Sequence, residues 1–270
     1  MISTELLFSM VFALMTTFMA PVVVLMWLLI KKKARNALFL FLIGAMSFFA
    51  GYIVLVVPLE FFVFSKDAYQ TFADKYYYLS GLISALDLSV AMVVPVIVFI
   101  YILKPGGITF NRCIGFSMGY YGIYNAYTYG IKYITNFTLI ESIQNDTLAK
   151  KYPDASAESL MEIQESVTEV SAFKYLAEGA KQGVLYIIGI AIVLSIVYGI
   201  INKKIVPIAL KMFGYMFAWM YAYNLVEHYI HSAVTIPVMI VGAIPAILIV
   251  KKISKNPKDV MIKPETMQML

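Results

Sequence analysis

The sequence predicts an all-α fold, a polytopic membrane helix bundle of about seven transmembrane helices, and three observations carry that prediction. Hydrophobic residues make up 61% of the 270-residue chain and charged residues only 14%, against about a quarter charged in soluble domains; mean hydropathy is +0.80. Seven apolar stretches, near 5–30, 36–58, 78–103, 112–136, 174–202, 206–230 and 232–250, are each long enough to cross a bilayer core, which takes about 20 residues of helix. The basic residues are also sorted. With alternating crossings, Lys31, Lys32, Lys33, Arg35, Lys104, Arg112, Lys203, Lys204, Lys251, Lys252, Lys255, Lys258 and Lys263 all fall on one side, where the only acids are Asp259 and Glu265. Basic loops stay in the cytoplasm, so the N-terminus is expected outside and the C-terminus inside.

Taken in order, the first stretch opens without a basic region and ends in Lys31-Lys32-Lys33-Ala34-Arg35, so it reads as a span with a stop-transfer end and not as a cleavable leader. Residues 59–77 mix Phe61, Phe62 and Phe64 with Glu60, Lys66, Asp67, Asp74 and Lys75, and read as an interfacial element. Gly106 and Gly107 follow Pro105 and are turn chemistry between the third and fourth spans, not a phosphate loop. The long polar loop is 137–173. Within it Asp154 is a candidate N-cap, and Leu160, Ile163, Val167 and Val170 form an apolar face opposed by Glu158, Glu162, Glu165 and Glu169. An acidic face matches anionic headgroups poorly. This amphipathic helix is therefore expected either to pack on the bundle or to act as a lid over a cavity open to the outside. The basic tail 251–270, with Pro257 and Pro264, is expected to be disordered near the inner leaflet.

Composition narrows the chemistry. The single cysteine, Cys113, excludes an intrachain disulfide and a thiolate metal cluster, and two histidines leave little for a histidine-rich centre. The net charge of +5 reflects sorting across a membrane and gives no nucleic-acid signal. No internal repeat supports a transporter built from two similar halves.

Polar groups inside a span are expensive, so they are the informative ones. Gly115 and Gly119 stand at GxxxG spacing, and Tyr120, Tyr124 and Tyr127 share one helical face beside Asn125. That stretch suits tight packing with hydroxyls bonded to neighbouring carbonyls, or the wall of a site. Ser84 and Asp87, three residues apart, face one neighbour. Glu178 and Lys181 are at i, i+3 and are expected to neutralise each other. Asn224, Glu227, His228 and His231 share a face near the end of the sixth span. They read as a hydrogen-bonding cluster or as a metal site, since carboxylate and imidazole ligate zinc, but the HExxH spacing is missing.

The order of these features resembles the YhfC-type family of bacterial intramembrane metalloproteases, distant kin of the CAAX prenyl proteases, over roughly residues 10–225. The resemblance lies in the basic end of span one followed by Phe39-Leu40-Phe41-Leu42-Ile43-Gly44-Ala45, in Tyr78-Leu79-Ser80-Gly81-Leu82, and in the glycine–tyrosine stretch. It continues through the long outer loop, Tyr175-Leu176-Ala177-Glu178-Gly179-Ala180-Lys181 and Asn202-Lys203-Lys204. It implies a site where carboxylate and imidazole hold a metal and a glutamate acts as general base. The motif residues themselves differ. Ser84 and Ala85 stand where the family has a glutamate pair, and Leu88 where it has arginine. Tyr120 and Tyr124 replace the histidine and glutamate of the fourth span, and residues 213–219 lack the late histidine. A phenol is a poor base and alanine ligates nothing.

The resemblance therefore implies a catalytically inactive relative with no catalytic residues, no metal and no cofactor. Its cavity is expected to be kept as a binding pocket of Ser84, Asp87, Tyr120, Tyr124, Asn125, Tyr127 and Asn224. Its partners are expected to be the lipid bilayer and a hydrophobic peptide, lipidated peptide or transmembrane protein, in a bacterial-type plasma membrane, and no nucleic acid. Two other readings stay open. One is a divergent enzyme with a metal site relocated to Glu227, His228 and His231, joined by Asp87 or Glu178. The other is a small-solute transporter or channel lined by Asp87, Asn125 and Asn224.

Overall fold

A chain embedded in lipid must satisfy its backbone hydrogen bonds internally, and the helix does this one segment at a time. The computed structural model describes residues 3–34, 36–103, 108–168, 170–230 and 232–257, and among them the regular secondary structure is entirely helical. In order the helices are α1 (Thr4–Ile30), α2 (Ala37–Phe64), the short α3 (Asp67–Lys75), α4 (Tyr77–Leu103), α5 (residues 110–144), the single-turn α6 (Leu148–Lys151), α7 (Ala157–Thr168), α8 (Ala172–Ile201), α9 (Ile205–Tyr229) and α10 (Ser232–Lys255). Six of them, α1, α2, α4, α8, α9 and α10, are long and apolar enough to cross a membrane. Helix α5 is longer still but more polar. From Cys113 to Asn125 nearly every residue is buried, against α2, α8 and α1. Burial against helices permits such a composition without requiring it, since α8, the most buried of the six, is also the most apolar.

Helices α5 and α8 form the centre, with α1, α2, α4, α9 and α10 around them. The α2–α5 contact is backbone on backbone. A Cβ on Gly119 would strike the Phe41 backbone and one on Gly44 the Phe116 carbonyl, while one on Gly115 would lie 2.8 Å from the Ala37 carbonyl oxygen. Small residues at such a seam give the close van der Waals packing that drives helix association in lipid.

Several helices run through prolines, Pro237 and Pro245 in α10 among them, and three show how the lost N–H is accommodated. Pro95 removes the N–H that would bond the Ala91 carbonyl within α4. The Tyr120 hydroxyl of α5 donates to that carbonyl instead, and Tyr121 donates to Met92 O at 3.0 Å. In α1, Pro21 stands four residues after Thr17, whose carbonyl accepts from the Tyr186 hydroxyl of α8 at 3.0 Å. In both cases a phenol from a neighbouring helix supplies the donor that proline lacks. Pro58 is handled differently. Wide turns at Tyr52–Val56 and Glu60–Phe64 flank it, so α2 runs through Pro58 to Phe64. This corrects the expected end of the second span at 58 and puts Glu60 to Phe64 on a helix.

Other expectations change at the ends. The N-cap of α7 is Ser156, whose Oγ accepts from Ser159 N at 3.1 Å, and not Asp154. Val167 is buried in a second core with Leu6, Met10, Tyr133, Leu139 and Tyr175, against which Leu160, Ile163 and Val170 pack, while Glu158, Glu162 and Glu165 are exposed. Helix α10 carries its regular hydrogen bonding through Lys251 and Lys252 to Lys255, so the tail does not begin at 251. Arg35, Lys104, Pro105, Gly106, Gly107, Glu169 and His231, with the tail from 258 to 270, lie outside the described residues.

Candidate functional site

The α2–α5 seam closes tightly around Gly44 and Gly119 and then opens toward the end of the bundle that carries α6 and α7. There α2, α4 and α5 diverge around a cavity of about 680 Å³. Helix α2 presents Phe48, Tyr52, Val56 and Glu60 at i, i+4, i+8 and i+12; α4 presents Ser84, Asp87, Leu88 and Ala91; α5 presents Tyr124, Tyr127, Thr128 and Lys132, with Tyr120 at the bottom. One wall is aromatic. Phe48 meets the rings of Tyr120, Tyr124 and Tyr127 at centroid distances of 5.9, 6.0 and 6.1 Å, and Tyr52 meets Tyr127 at 5.0 Å. The α4 wall carries a carboxylate. Asp87 sits ten residues into α4, about 15 Å along the helix at 1.5 Å per residue, and is half-buried.

Of the residues expected from sequence to form a pocket, Ser84, Asp87, Tyr120, Tyr124 and Tyr127 come together here. Asn125 does not. It is fully buried on another side of α5, beside Tyr186, and neither amide atom makes a well-formed hydrogen bond. Asn224 also lies elsewhere, where its Nδ2 donates to Gly81 O at 3.4 Å and links α9 to α4. Successive residues on a helix point about 100° apart, and that separates the remaining pair. His228 stacks on Tyr77 at 3.4 Å and 13°, while Glu227 turns to Tyr223. Among the described residues no three His, Cys, Asp or Glu side chains are grouped to hold a metal. No residue of α7 lines the cavity; its apolar face is committed to the second core, which removes the lid reading.

A second polar cluster lies beside the cavity and was only partly visible in the sequence. Glu178 and Lys181 do not pair. Glu178 accepts from the Tyr133 hydroxyl at 2.8 Å and meets Lys132 Nζ at 3.7 Å. Tyr133 in turn accepts from Gln182 Nε2 at 3.0 Å, and Gln182 is hydrogen-bonded to the Thr17 side chain. Lys181, buried, sets its ammonium 3.8 Å from the centroid of the Tyr223 ring and 5.5 Å from that of Tyr129. Such cation–π contacts are worth more when desolvated. The sequence signal for this cluster was the i, i+4 spacing of Glu178 with Gln182 and of Tyr129 with Tyr133, which sets each pair on one face.

Comparisons with models of known families, with characterised proteins and with solved structures find no match to this chain. The reading of the site therefore rests on its own geometry.

Proposed function

We propose that this chain is a non-catalytic membrane protein that binds a short hydrophobic peptide segment in the cavity between α2, α4 and α5. The observation that carries the reading is the cavity itself. Its volume falls in the range of sites that enclose a ligand, about 300–1,000 Å³, and its lining mixes aromatic rings with a few polar groups. A helix 10–12 Å across and rising 1.5 Å per residue occupies roughly 120–170 Å³ per residue. The cavity thus holds about four to six residues of chain, too few for a whole transmembrane helix. The resemblance to the YhfC-type intramembrane metalloproteases offers an origin for such a space, because Ser84, Leu88, Tyr120 and Tyr124, at four of the replaced motif positions, all line it. In this reading α5 is a seventh crossing, the N-terminus and the cavity face the outside of a bacterial plasma membrane, and the chain serves as an accessory subunit of a membrane complex.

The test is saturable binding of a neutral, end-blocked leucine–alanine hexapeptide to the full chain in nanodiscs, read by fluorescence anisotropy. Ser84 is exposed to the cavity, so Ser84→Trp fills it without disturbing helix packing. The wild type should bind and S84W should not. Absence of saturable binding, or equal binding by S84W, would overturn the proposal.

A further inference from the structure

The charges around the cavity do not balance. Glu60 and Asp87 both line it, from α2 and α4, and among the described residues neither carboxylate makes a hydrogen bond or ion pair. The basic residue on the lining, Lys132, is already engaged, with its Nζ 3.7 Å from Glu178 on the far side of α5. An ionisable group deep in a span normally faces water or a partner and marks a ligand path. Here the unpaired groups are acidic: Asp87 stands on α4, Glu60 lies eight residues beyond Tyr52 on the same face of α2, and the phenols of Tyr52, Tyr124 and Tyr127 line the same cavity. Aromatic rings attract cations through their quadrupole, most strongly where water is excluded. Asp87 on the α4 wall and Glu60 at the outer end of the α2 wall, with the phenols between them, make a site that favours positive charge, set in a largely apolar chamber.

We propose that the peptide segment bound in this cavity carries one basic side chain, whose ammonium or guanidinium lies between Asp87 and Glu60 while its apolar residues fill the remaining space. The inference rests on the binding role proposed above and names the chemistry of its ligand. Depth assigns unequal parts to the two acids. Asp87 is half-buried and holds the charge where solvent screens least, while Glu60 is exposed at the rim and acts through a more screened field.

The experiment uses the full chain in nanodiscs and two end-blocked leucine–alanine hexapeptides, one with a central lysine and one with norleucine in its place. The lysine peptide should bind about tenfold or more tightly than the norleucine peptide. Asp87→Asn should weaken the lysine peptide by about the same factor and Glu60→Gln by less, as expected for removal of one partner of a charge pair at different depths. In both variants the preference for the lysine peptide over the norleucine peptide should shrink, and an unchanged helical circular-dichroism spectrum reports that the variants are folded. Equal binding of the two peptides, or lysine-peptide binding unmoved by both variants, would overturn the inference and leave the binding role standing. Failure of both peptides to bind would overturn the binding role itself. Binding of dodecyltrimethylammonium with no binding of either peptide would overturn the assignment to a peptide.

Discussion

The phenol of Tyr120 provides the sharpest test of how the bundle is held together. Pro95 leaves the Ala91 carbonyl of α4 without its intrahelical donor, and the Tyr120 hydroxyl supplies one from α5. Tyr120→Phe keeps the ring against Phe48, 5.9 Å away, and removes only that donor. Interhelical hydrogen bonds in membranes average about 0.6 kcal/mol and reach about 1.7, while an orphaned buried acceptor costs about 1–3 kcal/mol. With Pro95 buried and the Ala91 carbonyl partly buried at the cavity's floor, the expected loss is about 1–2 kcal/mol. In a Pro95→Ala background the backbone N–H returns to the Ala91 carbonyl, and the same Tyr120→Phe change should cost less than half as much. The cycle removes the packing that Pro95→Ala also disturbs, chiefly the contact of the ring with Gly51. Reversible unfolding by SDS in mixed micelles, measured on the four proteins, should give a coupling of about 1 kcal/mol, outside the roughly 0.3–0.5 kcal/mol scatter of independent sites. An equal cost in both backgrounds would refute the idea that the hydroxyl compensates the proline.

Other expectations follow from the same contacts. Tyr186→Phe, which strips the donor from the Thr17 carbonyl, should destabilise by about 1–2 kcal/mol in the same assay. Gly119→Ala drives a methyl into the Phe41 backbone and should cost about 1–3 kcal/mol or more, while Gly214→Ala, where nothing lies within 4 Å, should be neutral or slightly stabilising in SDS unfolding. Lys181→Met keeps the length of a side chain already packed on Tyr223 and Tyr129, and should be near neutral or stabilising, as replacement of a buried charge by an apolar isostere often is. Glu178→Ala, which leaves the buried Tyr133 hydroxyl without its acceptor, should cost about 1–3 kcal/mol. Ser156→Ala should fray α7 by about 1 kcal/mol, read as faster amide exchange at Ala157–Ser159, and Asp154→Ala should not.

The helical class and the places of the long helices were legible because lipid imposes a length and a composition on whatever it surrounds. Helix α5 shows where that rule weakens. Its buried stretch, set among α2, α8 and α1, accommodates hydroxyls and glycines, while α8, also central, is the most apolar of the long helices, so burial in protein permits a polar composition without dictating one. The cavity wall was legible in part through periodicity, since Tyr120, Tyr124 and Tyr127 had to share a face. Which neighbour that face meets was not. Asn125 points away from the cavity, and Asn224 was drawn to Gly81 by a contact 143 residues distant in the chain. Glu178 and Lys181 were adjacent on one helix and looked like a pair, but better partners came from other helices, Tyr133 and Lys132 for one and Tyr223 for the other. Local spacing fixes which side chains point together, and only tertiary packing decides what they meet.

The burial of α5 also bears on how the protein is made. A segment with this many hydroxyls and glycines gains little by leaving a translocation channel for lipid alone. Its contacts are split between α1 and α2, synthesised before it, and α8, synthesised after the loop of residues 145–171. For the seven-crossing bundle we propose, α5 enters the bilayer in the company of its predecessors and is sealed only when α8 arrives. A ribosome pausing within that loop would hold α5 with one side closed and one side open. Membrane insertion of α5 should therefore depend on the chain that follows it as much as on its own residues.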